Sequence, residues 1–180
     1  NKTEDGKTGS MASLCCETDF VAKSDDFVEA CKELEKAVLL CESDEGAENL
    51  ADTEIDGKRF GDIITELASK TGEKTQLGEY VRYTLDGPGY ICIYVHFNKK
   101  VGTIVKFKTS DDKVAENADF RSTAEDVAMH ITAINPLALD ESDISEDQLE
   151  KEKAVYREQV KDKPENIIDK IIDGKMKKFF

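Results

Sequence analysis

Three runs in the middle of the chain restrict the fold most: YVRYTL (80–85), YICIYVHF (90–97) and VGTIVKF (101–107). All are rich in β-branched and aromatic residues, and only Asp86-Gly87-Pro88-Gly89 and Asn98-Lys99-Lys100 separate them. Connections this short join antiparallel neighbours, because a parallel crossover needs about a dozen residues. An antiparallel three-stranded meander is therefore expected. The unbroken apolar run ICIYV in its middle strand requires cover on at least one face, which falls to the helices before and after it.

Those helices are visible as periodicity. Phe27, Cys31, Leu34, Val38 and Cys41 recur at steps of three and four, placing one apolar face on a helix that Ser24-Asp25-Asp26 is suited to cap. A short mixed run, Met11 to Thr18, precedes it and predicts a strand. Phe60, Ile63, Ile64, Leu67 and Ala68 mark a second amphipathic helix ending near Lys70, with Gly72 placed to close it in a left-handed conformation. Between the two helices, ESDEGAENLADTEIDGKR (42–59) is acidic and poorly periodic. It reads as a solvated linker with at most one irregular turn, a functional acidic patch being the second reading.

Beyond the strands, residues 108–121 are polar, and Ser122-Thr123-Ala124-Glu125 has the spacing of a capping box. It predicts a helix with Ala124, Val127, Ala128 and Ile131 on one face, stopped by Asn135-Pro136. Ser145-Glu146-Asp147-Gln148 is a second box, opening a mostly charged helix to about Val160 whose apolar residues are Leu149, Val155, Tyr156 and Val160. After the break at Asp162-Lys163-Pro164, a dense stripe follows: Ile167, Ile168, Ile171, Ile172, Met176 and Phe179. Two such helices bury each other's stripes as an antiparallel hairpin. The expected fold is α+β: a core subdomain over 1–121 with the small antiparallel sheet, the start of a second core subdomain over 122–144, and a projecting helical hairpin, a coiled-coil arm, over 145–180.

Composition narrows the function. With 180 residues, 39% of them hydrophobic, the chain can bury one ordinary core or two small ones. A net charge of −14, from 39 acidic and 25 basic residues, argues against general nucleic-acid binding and for a protein partner with basic or apolar surfaces. Five cysteines without a CxxC pair suit free thiols in a reducing compartment, the cytoplasm. No apolar stretch approaches the roughly 18 residues of a membrane span and no leader pattern opens the chain, so a soluble protein is expected. The polar start NKTEDGKTGS, without an initiator methionine, reads as the interior of a longer natural sequence, with Gly9-Ser10-Met11 as a cloning scar in the second reading.

The chain carries little that suggests catalysis. It has two histidines, no nucleophile elbow, no P-loop and no HExxH, so no catalytic site, cofactor or metal is expected and the chain is not read as an enzyme. A small hydrolase would pair a nucleophile with a base, and neither histidine has a Ser or Cys at a suggestive position. His96 ends a strand beside the Asn98-Lys99 turn, either on the rim of a contact surface or as an ordinary half-exposed turn residue, and the second is favoured on residues alone. His130 lies off the apolar face of its helix, on a solvent side or at a domain junction. Cys15 and Cys16 alternate faces of a strand, one inward and one outward. Gly87 and Gly89 form a turn around Pro88, not a phosphate cradle. Phe20 admits two readings of equal weight: a staple under the Phe27 helix, or an aromatic anchor offered to a partner.

CETDFVAKSDDF (16–27) resembles the elongation factor Ts family, whose core carries a TDFV loop at this strand-to-helix junction. The likeness continues through Thr71-Gly72-Glu73-Lys74, Tyr94-Val95-His96, Val101-Gly102-Thr103-Ile104-Val105, DVAMHITAINP (126–136) and the run from Lys163-Pro164-Glu165 to Gly174-Lys175-Met176-Lys177-Lys178-Phe179. It covers nearly the whole chain. The resemblance implies a guanine-nucleotide exchange factor docking on the GTPase domain of elongation factor Tu, with Phe20 entering between two helices beside the magnesium and phosphate site. Carried over by position, the contact residues are Thr18, Asp19, Phe20 and Val21 from the loop, Gly72 from the helix-end turn and His96 from the strand end. Thr71 departs from the isoleucine usual before that glycine, and the family's N-terminal three-helix module and C-terminal segment are expected to lie outside this chain. The alternative is a scaffold module that self-associates, as a homodimer, through the meander edge and the stripe from Ile167 to Phe179.

Overall fold

A computed structural model describes residues 1–179, with the side chains of residues 141, 165, 166, 178 and 179 outside the description. The fold is α+β, and it divides into a unit spanning Asn1–Ala133 and one spanning Ile134–Phe180.

The first unit opens with β1 (Thr8–Cys15), which starts three residues before the expected Met11 because Thr8 and Ser10 are buried inside it. It ends before Thr18, which instead caps the single-turn helix α1 (Asp19–Ala22). Helix α2 (Asp25–Leu40) follows, with the Ser24 hydroxyl accepting from the Phe27 N–H at 3.3 Å. It buries Phe27, Leu34 and Val38 as its spacing predicts, together with Ala30 and Ala37.

The acidic stretch is not a linker. It contains α3 (Ala47–Ala51) and a tight hairpin of β2 (Glu54–Ile55) and β3 (Lys58–Arg59). Leu50 and Ile55, its two large aliphatic residues, both enter the core formed by Leu34, Val38, Phe60, Ile64 and Tyr80. Two anchors hold this segment while the acids between them face water, so burial overrides a pattern too sparse to show periodicity. Helix α4 (Phe60–Thr71) then packs on α2, buries Phe60, Ile64 and Leu67, and ends at Gly72, left-handed with φ of 72°.

The strands 80–107 do not form a single meander. Among the described residues, β4 (Gln76–Thr84) pairs antiparallel with β1, Thr8 facing Thr84, while β5 (Gly89–Val95) pairs with β6 (Gly102–Lys108) and not with β4, Gly89 facing Lys108. The Leu85 N–H donates to Lys7 O at 2.8 Å, so the chain stays committed to β1 until β4 ends. The short 85–88 connection permits a hairpin but becomes a corner between two ladders. The ladders meet where Gly9 lies against Ile91; a Cβ there would sit 2.6 Å from Ile91 Cγ2. The other face of β5 is covered as expected, Cys92 packing with Ala124 and Ala128.

Those alanines lie on α6 (Ala118–Ile134), which starts four residues before Ser122. The Asn117 side-chain oxygen accepts from the Asp119 and Phe120 N–H groups, so Asn117 rather than Ser122 caps it, and α5 (Asp112–Glu116) lies within the polar run before it. Val127 is exposed rather than on the buried face. Asn135, at φ of 51°, follows the last turn.

The second unit is a helical hairpin. Ser145 and Gln148 form the expected capping box at the start of α7 (Glu146–Gln159), and α8 (Glu165–Phe179) returns after residues 160–164. Val160, Ile172 and Met176 form their shared core, with Leu149, Tyr156, Ile168 and Ile171 against it. Of the stripe, Ile168, Ile171, Ile172 and Met176 are thus packed within the hairpin, while Ile167 is 37% exposed and the Phe179 side chain lies outside the described residues.

Candidate functional site

The site is built on the turn between β1 and α2. Thr18 is extended (φ −125°, ψ 154°), and its hydroxyl oxygen accepts from the Val21 N–H at 3.3 Å, capping α1. What the sequence reading took for a loop is therefore one helical turn. Val21 packs on Phe27, Ala30 and Leu67, the place a staple would fill. One residue earlier, roughly 100° around the turn, Phe20 points to solvent and is 89% exposed. The staple reading of Phe20 does not hold.

A four-residue helix has no cooperativity of its own, so contacts from elsewhere must hold it. Glu73 supplies two. The Thr18 N–H donates to Glu73 Oε2 at 3.0 Å, and the Thr18 hydroxyl donates to Oε1 at 2.6 Å. Gly72 makes this possible: its left-handed turn sends the chain back from α4 so that Glu73 faces Thr18. A Cβ at Gly72 would meet nothing within 4 Å, so its value lies in backbone conformation rather than in space. The Lys74 N–H donates to Glu17 at 3.4 Å, a second tie across the same gap. Thr71 turns inward, its hydroxyl donating to Leu67 O.

Asp19 accepts from Lys100 Nζ at 3.0 Å. That hydrogen bond, with the charges of Lys100 and Lys23, holds the Asp19 carboxyl below its ordinary range. Both partners are well exposed, so the pair adds little stability, but it joins the Phe20 turn to the β5–β6 hairpin.

On that hairpin, His96 lies one residue past β5 and is half-buried. Its backbone N–H donates to Val101 O at 3.0 Å, and its Nδ1 lies 2.9 Å from the Tyr94 hydroxyl. The neighbouring Phe97 ring sits 4.3 Å from the imidazole between centroids, yet Phe97 is 88% exposed. The structure thus brings Thr18, Asp19, Phe20 and Val21 together on one turn, adds Gly72 through Glu73, and adds the His96 hairpin through Lys100. Glu73, Phe97 and Lys100 were not singled out from sequence; Glu73 is 55 residues from Thr18 and Lys100 is 81 from Asp19, distances at which no local spacing gives a signal.

His130 is exposed, and all five cysteines are free, with Cys15 exposed and Cys16 half-buried. Among the described residues no group of three His, Cys, Asp or Glu side chains is placed to hold a metal ion, and no helix is long and apolar enough to cross a membrane.

The family model described as Elongation factor TS matches residues 17–180. The chain belongs to the elongation factor Ts family. Elongation factor Ts of Desulfovibrio desulfuricans is 35% identical over 180 residues, covering 98% of this chain and 60% of the relative. That of Clostridium acetobutylicum is 34% identical over 179 residues, covering 98% of this chain and 57% of the relative. That of Aquifex aeolicus is 36% identical over 187 residues, covering 99% and 62%. The chain therefore spans about three-fifths of the length of these elongation factor Ts relatives.

Proposed function

We propose that this chain is a guanine-nucleotide exchange factor for elongation factor Tu in translation elongation, acting in the cytoplasm on the partner's GTPase domain. The observation that carries the proposal is Phe20, 89% exposed on a turn fastened from two sides. Leaving a large apolar ring in water costs free energy that a partner pocket returns on docking, and an aromatic side chain has few rotamers to lose. Membership of the elongation factor Ts family supports the same partner.

The mechanism is linkage. A factor that binds the nucleotide-free partner more tightly than the nucleotide-bound one weakens nucleotide affinity by the same ratio. Phe20 enters between two helices of the GTPase domain that carry magnesium and phosphate ligands. If those helices hold the nucleotide's magnesium and phosphates, their displacement would loosen that hold and speed nucleotide release. Thr18 and Val21 set the direction of entry, Asp19 and Lys100 fix the turn against the hairpin, and His96 lies on the rim of the contact. No bond is made or broken by the chain, so it is not an enzyme. The net charge of −14 leaves nucleic acid out of the contact.

The test is release of a fluorescent GDP analogue from elongation factor Tu, with excess unlabelled GDP, as this chain is titrated in. Release accelerating to a plateau is expected; a rate independent of the chain overturns the reading.

A further inference from the structure

We propose that Glu73 is the positioning residue of the Phe20 turn: it fixes the Thr18 hydroxyl so that Thr18 caps α1 and α1 holds Phe20 outward. The role rests on the exchange reading of Phe20 and adds to it a residue outside the TDFV stretch.

Thr18 has two donors, its N–H and its hydroxyl, and Glu73 accepts from both, one on each carboxylate oxygen. Bonds to an ionised acceptor are stronger than those between neutral groups, and a pair of them also fixes direction. The consequence lies in the hydroxyl. A threonine hydroxyl rotates freely unless its proton is committed; with the proton on Glu73 Oε1, its lone pairs are left for the Val21 N–H, where the structure finds the cap. The relay runs from Glu73 through Thr18 Oγ to the Val21 N–H. Val21 then has its side chain in the Phe27 and Leu67 cluster, and Phe20 has no direction left but outward.

Glu73 is itself well placed for this. It follows the left-handed Gly72, and its own N–H donates to Thr71 Oγ at 3.4 Å. The other holds on α1 do not substitute for it. Ser24 donates to Val21 O at the far end of the turn, and Lys100 reaches only the exposed Asp19 carboxylate. Neither engages the Thr18 cap. Because Thr18 is exposed and Glu73 is not part of either core cluster beside the site, loss of the relay loosens the turn without opening the core.

The test uses Glu73→Ala, Thr18→Val, Thr18→Ser and the double variant Glu73→Ala/Thr18→Val, with two readouts. The first, amide hydrogen exchange at Val21 in the chain alone, does not involve the partner. The second is the acceleration of GDP release from elongation factor Tu. Glu73→Ala and Thr18→Val are each expected to speed Val21 exchange and to lower the release acceleration by about tenfold, the scale of a lost cap. The double variant is expected to be no worse than Glu73→Ala alone, since both break one relay. Thr18→Ser, which keeps the hydroxyl, is expected to retain the parent's slow Val21 exchange in the chain alone. Unchanged Val21 exchange, losses that multiply in the double variant, or a Thr18→Ser variant whose Val21 exchange is as fast as that of Thr18→Val would overturn the proposal. So would faster Val21 exchange with release unaffected. If the parent chain itself fails to accelerate release while Val21 responds as described, the exchange reading falls, and Glu73 retains a tie to Thr18 but no positioning role.

Discussion

Replacing Leu50 by alanine tests whether the acidic segment is part of the fold. Leu50 is fully buried, packed in the cluster that holds Val38, Phe60 and Ile64, although it sits in a run dominated by Glu and Asp. The change removes three carbons, worth about 2.4 kcal/mol at roughly 0.8 kcal/mol each. The cavity left among rigid neighbours adds to this, giving about 3–4 kcal/mol. For a unit of this size that corresponds to a fall in Tm of about 10 °C. Urea unfolding followed by circular dichroism measures it, with Glu48→Ala as the control: Glu48 lies on the same short helix but is exposed, so about 0.5 kcal/mol or less is expected there. A Leu50→Ala variant within about 0.5 kcal/mol of the parent would refute the reasoning and return residues 42–59 to the status of a solvated linker.

Tyr80 donates to the carbonyls of Ser43 and Cys41 at 3.0 and 3.4 Å, and burial, followed by the interaction with Cys41, pushes its hydroxyl well above the ordinary tyrosine range. Tyr80→Phe is expected to cost about 1 kcal/mol near neutral pH. The folded state holds this proton more tightly than the unfolded one, so its contribution is complete below about pH 10 and declines as pH rises further. The difference between parent and variant in urea midpoint should therefore shrink above pH 10, and a constant difference to pH 11 would contradict the assignment. Lys100→Glu places like charges at the Asp19 tie and is expected to reduce the acceleration of GDP release, more at low salt than at high. The charge swap Asp19→Lys/Lys100→Glu should restore part of it; a loss independent of salt would show that the tie is not electrostatic.

Legibility in the sequence followed the range of the interaction. The stripes of α2 and α4, the Ser24 and Ser145 caps and the closing Gly72 are set within a few residues, and the structure places them as their patterns predict. Strand pairing is not local. The turn length before β5 allowed a hairpin with β4, but β4 took β1 as its partner, some seventy residues away, and left Gly9 to seat Ile91. Leu50 and Ile55 escaped notice because two apolar residues in an acidic run make no period, although each reaches the core. At the site, the resemblance supplied Thr18 to Val21, Gly72 and His96, while the contacts that join them, Glu73 to Thr18 and Lys100 to Asp19, depend on tertiary structure. Gly72 itself stood out as a helix stop, but what it does for the site is visible only through where Glu73 then points.

The central claim is that Phe20 works outside the fold rather than inside it. GDP release from elongation factor Tu, measured at saturating concentrations of the parent chain and of Phe20→Ala, tests it most directly when the Tm of each is recorded alongside. Because Phe20 is 89% exposed, the variant is expected to keep the parent's stability within about 0.5 kcal/mol while losing most of the acceleration. A Phe20→Ala chain that is equally stable and still accelerates release as the parent does would contradict the account.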